Sequence, residues 1–85
     1  MMSFIVSFNS TTQAMMMQAM ATRYGLPGRI IPVPRQLTAS CGMAWAAPEE
    51  AEGILRTAMD EHGISFAKAV VMEYRLRGRY GKERT

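Results

Sequence analysis

The first apolar run of the chain, Ser3 to Phe8, puts Phe4, Val6 and Phe8 on one side and stops at the turn-forming pair Asn9-Ser10. Period-two alternation with such a boundary predicts a strand. The period then changes. From Ser10 to Gly25 the pattern is helical, with Ser10 as N-cap, Gln13 at capping-box spacing and Gly25 as the stop. Gly28 to Pro34 returns to an apolar run interrupted by Pro32 and Pro34, and because proline cannot donate to a sheet ladder the run predicts an edge strand. Cys41, Met43 and Trp45 alternate with Gly42, Ala44 and Ala46, which predicts a third strand opening at Cys41. Pro48 to Gly63 predicts the second helix. Pro48 fits its first turn, Glu49 and Glu50 suit its dipole, Ala51, Ile54, Leu55, Ala58 and Met59 form an apolar stripe, and Gly63 ends it. Ala67 to Leu76 predicts a fourth strand.

This β-α-β-β-α-β order predicts an α+β chain of the ferredoxin-like, split βαβ kind: a four-stranded antiparallel sheet with two helices on one face. The strand order expected for it is 4-1-3-2. That order brings the end of the first strand, the start of the first helix and the start of the third strand to one sheet edge. Cys41 is therefore expected beside the Phe8-Asn9-Ser10-Thr11 turn and the N–H groups of the first helical turn. Met43 and Trp45 are expected on the helix-free face, where an exposed apolar patch would suit a homodimer.

Composition changes this picture in three respects. Eighty-five residues give one domain, expected over residues 1–76, with a core small enough that a disulfide, a metal or a partner would help it. Cys41 is the single cysteine, so no internal disulfide forms, and without a Cys/His cluster no metal is expected. A free thiol belongs in a reducing compartment, and the start MMSFIVSF lacks the features of a signal peptide or membrane span; a cytoplasmic location is expected. The net charge of +3 comes largely from Arg75, Arg77, Arg79, Lys82 and Arg84, which reads as a solvated basic tail over residues 77–85. The central strand lacks the Lys/Arg-Gly-aromatic series of an RNA-recognition sheet, so no specific nucleic-acid partner is expected.

A lone cysteine is either a small buried hydrophobe or a presented thiol, and the residue pattern leaves both open. A helix N-terminus favours an anion by about 0.3–1 kcal/mol, up to about 2 kcal/mol when partly buried, and each tenfold gain in ionisation needs about 1.4 kcal/mol. From the ordinary thiol value of about 8.5, the helix by itself would leave Cys41 only partly ionised at neutral pH. The helix alone therefore falls short, and Arg35, in the loop that delivers Cys41, is the nearest second positive charge in sequence. Met15, Met16, Met17 and Met20 carry thioethers that suit copper(I), but their helical spacing predicts core instead. His62, in the last turn of the second helix, falls by topology at the same sheet edge as Cys41.

Three short motifs, FNST at Phe8 to Thr11, IPVPR at Ile31 to Arg35 and SCG at Ser40 to Gly42, resemble the selenium/sulfur carrier-like family of small prokaryotic domains. The resemblance runs from about Phe4 to about Leu76. It implies that Cys41 holds sulfur or selenium covalently as a persulfide or perselenide, with no other cofactor, and that the protein is a carrier and not an enzyme. Its implied partners are a donor such as a cysteine desulfurase and a sulfur- or selenium-using acceptor enzyme. Around Cys41, the residues that would hold the anion are Ser10, Thr11, Arg35, Ser40 and Gly42. Family members often carry a histidine just after the Ser-Thr pair, where this chain has Thr12. The absence of a second cysteine suits a persulfide, which a neighbouring thiol would discharge as a disulfide. Two other classes stay open: a sulfur-relay protein of another kind, although the Cys-Pro signature is replaced by Cys41-Gly42, and a regulatory, metabolite-binding or protein-interaction module of the same fold.

Overall fold

The computed structural model describes residues 2–37 and 41–74. Its elements are β1 (Met2–Ser7), α1 (Thr11–Tyr24), β2 (Arg29–Pro32), β3 (Met43–Pro48), α2 (Glu52–Glu61), which a 3-10 turn (Glu49–Ala51) leads into, and β4 (Lys68–Glu73). The four strands form one sheet in the order β2-β3-β1-β4, with every neighbouring pair antiparallel. This is the ferredoxin-like α+β arrangement, and the proline-bearing β2 lies at its edge. The expected tail over residues 77–85 lies outside the described residues.

Local chemistry sets the helix ends. Ser10, extended at φ −146°, accepts the Gln13 N–H on its hydroxyl at 3.3 Å and opens α1. Both helices stop at a left-handed glycine, Gly25 at φ 67° and Gly63 at φ 68°. In each case the next N–H reaches back five residues, Leu26 to the Ala21 carbonyl and Ile64 to the Met59 carbonyl, both at 2.9 Å. Leu26 and Ile64 are thereby turned onto the core.

Two boundaries depart from the sequence expectation. Strand β3 begins at Met43 and not at Cys41, because Gly42 at φ 73° takes the backbone off the extended path. Pro48 is still paired with Ser3, so the second helix starts only after it, through the 3-10 turn.

The main core lies between the sheet and the helices. Phe4, Val6, Phe8, Trp45 and Ala47 rise from the strands to meet Ala14, Met17, Met20 and Ala21 of α1 and Leu55 and Met59 of α2. Burying a side chain of the size of Phe4 or Met17 contributes about 1.5–3 kcal/mol, so these contacts dominate the stability of so short a chain.

The placement of Trp45 and Met43 corrects the expectation for them. Trp45 pairs with Val6, and directly opposed residues of two strands share a sheet face, so both lie under the helices, where Met43 also packs. The other face carries Ile5, Ile31, Ala44, Ala46 and Leu37 as a second, smaller core. Ile5, Ala44 and Ala46 are fully buried there, and the ground for a dimer through Trp45 and Met43 falls away. Ile54, expected in the apolar stripe of α2, is 55% exposed. Ile54 falls about 100° round the helix from Leu55, at the flank of the buried stripe that Ala51, Leu55, Ala58 and Met59 form.

Candidate functional site

Cys41 sits in the turn before β3, half-buried, with its side chain against the rim of the main core. Its S–H donates to the Phe8 carbonyl at 3.3 Å and also lies 3.6 Å from the Met43 carbonyl. The Met43 N–H in turn donates to Sγ at 3.4 Å. Backbone from two elements thus brackets the sulfur, the last residue before the β1–α1 turn on one side and the first residue of β3 on the other.

The strand order explains why these groups meet. Since β1 and β3 are neighbours and antiparallel, the end of β1 faces the start of β3, and Ser7 is the partner of Ala44. Phe8 continues β1 by one residue and Cys41 precedes β3 by two, so both fall at one sheet edge. Gly42 supplies the bend between Cys41 and the strand, and its carbonyl accepts the Val33 N–H at 3.0 Å, closing the root of the β2–β3 loop. Pro34 begins a tight turn in that loop, with the Leu37 N–H donating to its carbonyl at 2.9 Å, and Leu37 anchors the loop in the second core.

The remaining expected site residues fall as follows. Ser10 is occupied as the α1 cap, and Thr11 opens that helix exposed to solvent, two and three residues beyond the Phe8 carbonyl that holds the thiol. Arg35 is exposed in the turn begun by Pro34, and among the described residues no hydrogen bond joins it to Cys41. Ser40 lies outside the described residues. Gln13 does not close the capping box; its Oε1 accepts the Ser65 N–H at 3.0 Å and ties the first turn of α1 to the α2–β4 loop.

His62 does not join Cys41. Its ring pairs with Tyr24 of α1, centroids 5.1 Å apart and tilted by 46°. The methionines divide by helical phase, Met17 and Met20 buried and Met15 and Met16 exposed. Among the described residues no group of three or more His, Cys, Asp or Glu side chains could hold a metal ion, and no helix is long and apolar enough to cross a membrane.

The role of Met43 at the sulfur escapes a side-chain reading of the sequence. Its contribution is backbone, and the only signal for it is the glycine between Cys41 and Met43, which permits the local fold-back.

Residues 3–71 match the family described as "Putative Se/S carrier protein-like". No curated protein and no solved structure is matched.

Proposed function

This chain belongs to the Se/S carrier protein-like family, and from that premise we propose that Cys41 is the atom on which sulfur or selenium travels, as a persulfide or perselenide taken from a donor enzyme and passed to an acceptor. The observation that carries the reading is the setting of the one cysteine in the sequence: half-buried at a sheet edge, bracketed by backbone polar groups, with no second thiol to discharge its cargo. A donor of the cysteine desulfurase type presents a protein persulfide. The Cys41 sulfur attacks its outer sulfur, the donor's S–S bond breaks, and the donor leaves with a free thiol.

Backbone does the positioning. The Met43 N–H offers its hydrogen to the sulfur, while Gly42 lets the chain bend tightly enough to aim it there. Ser10 and Thr11 follow the Phe8 carbonyl at the start of α1, and Arg35 stands exposed in the β2–β3 loop as a positive charge available to an approaching anion. These side chains act on the incoming group and not on the resting thiol.

Mass measurement of intact protein, incubated with a desulfurase and either cysteine or selenocysteine and then treated with reductant, tests the reading. Gain of a sulfur or selenium atom that reductant removes supports it. Cys41→Ser, whose hydroxyl can still donate to the Phe8 carbonyl, should fold within about 1 kcal/mol of the parent and gain no atom; uptake by this variant would place the cargo elsewhere. Arg35→Ala should slow the uptake without abolishing it.

A further inference from the structure

Cys41 has one hydrogen on sulfur and faces two acceptors, the Phe8 carbonyl at 3.3 Å and the Met43 carbonyl at 3.6 Å. The thiol thus holds the resting side chain against the β1–α1 turn. Taking up a sulfur atom changes this through valence. In the exchange Cys41–SH + R–S–SH → Cys41–S–SH + R–SH, the Sγ–S bond forms, the donor's S–S bond breaks, the hydrogens balance and no oxidant is needed. Sγ, now bonded to Cβ and to the outer sulfur, carries no hydrogen, and neither carbonyl can receive a bond from it.

The outer sulfur cannot take the hydrogen's place either. An S–S bond is about 2.05 Å long, so an outer sulfur directed at the Phe8 oxygen, 3.3 Å from Sγ, would stop about 1.3 Å short of it, far inside non-bonded contact. Toward the Met43 oxygen, 3.6 Å away, the gap would be about 1.6 Å by the same bond length. Rotation about Cα–Cβ or Cβ–Sγ is the remaining route. The Met43 N–H can keep its bond to the inner sulfur, since that bond uses a sulfur lone pair.

Resting on the carrier reading, we propose that loading breaks the Cys41–Phe8 hydrogen bond and turns the outer sulfur away from the β1–α1 turn, so that empty and loaded protein differ at the Phe8 carbonyl, two residues before the cap of α1. The cargo is thereby presented outward, and the turn leading into α1 reports whether the cysteine is occupied. Selenium, the larger atom, requires the same rotation.

Methyl methanethiosulfonate tests this without any donor enzyme, because it converts Cys41–SH into Cys41–S–S–CH3 with release of methanesulfinic acid and so sets a sulfur where the cargo would sit. The readout is the Phe8 carbonyl carbon resonance in the full-length protein, with Val70 on β4 as a remote reference. The expected result is an upfield move at Phe8 on modification that Cys41→Ala reproduces and Cys41→Ser, which keeps a donor, does not. If Cys41→Ala does not fold, the modified and unmodified parent and Cys41→Ser still decide the outcome. A Phe8 resonance that stays at its unmodified position overturns the proposal, as does a folded protein that the reagent cannot modify. Failure of the carrier reading looks different: the reagent shifts Phe8, but a persulfide donor transfers nothing.

Discussion

Trp45 lies on the backbone of Gly28, and its indole N–H passes over that residue to donate to the Pro27 carbonyl at 3.1 Å. A Cβ at position 28 would meet the indole Nε1, sit 2.8 Å from Cε2 and stand 2.6 Å from the Ala46 carbonyl oxygen, which is backbone and cannot swing aside. Gly28 also has φ 116°, where a side chain is disfavoured.

Gly28→Ala should therefore destabilise the protein by about 2–4 kcal/mol, the sum of overpacking and left-handed strain. Urea unfolding followed by the fluorescence of Trp45 measures both the loss and the changed indole environment. A variant as stable as the parent would mean that Trp45 does not rest on this backbone.

The neighbours Met16 and Met17 should respond in opposite ways to truncation. Met17 is fully buried, and Met17→Ala should cost about 2–5 kcal/mol through lost burial and a cavity. Met16 is 39% exposed, and Met16→Ala should fall within about 0.5 kcal/mol of the parent. Thermal unfolding of the pair checks the phase of α1 directly; equal losses would contradict it.

Gln13 should prove to be a tie between segments 52 residues apart and not a cap. Gln13→Ala should cost about 0.5–1.5 kcal/mol and speed hydrogen exchange at the Ser65 amide, whereas Gln13→Glu, which keeps the acceptor oxygen, should retain the protection. Unchanged exchange at Ser65 in the alanine variant would break the assignment.

Ser7 presents the reverse case. Its Oγ is buried and finds no hydrogen-bond partner among the described residues. Since an unsatisfied buried hydroxyl is unfavourable, Ser7→Ala should leave stability unchanged or raise it by up to about 1 kcal/mol. A loss greater than that, measured by denaturant unfolding, would reveal a partner for the hydroxyl.

What the sequence makes legible here is what is local. Ser10, Gly25 and Gly63 fix helix ends through bonds spanning only a few residues, and the prolines mark β2 as an edge, so the elements and their order can be read from the chain. Alternation in β3 separates Trp45 from Ala44, but which of the two faces the helices depends on pairing with β1, nearly forty residues away, and a one-residue slip reverses it. A still longer separation, 52 residues, hides the Gln13–Ser65 bond. At the candidate site, topology brings Cys41 to Phe8, but the groups that touch the sulfur are carbonyls and an N–H, backbone groups that nearly every residue carries and no motif displays.

The strand order carries a further consequence for a chain made from one end to the other. Strand β1, with Phe4, Ile5 and Val6 fully buried, lies between β3 and β4, and both of those strands are synthesised after it. As the polypeptide leaves the ribosome, its most water-averse strand emerges with neither neighbour in existence. It can gain shelter early only from α1, which follows it directly. Docking of Met17 and Met20 onto Phe4, Val6 and Phe8 would be the first protection available, and the sheet can close around β1 only when β4 is released.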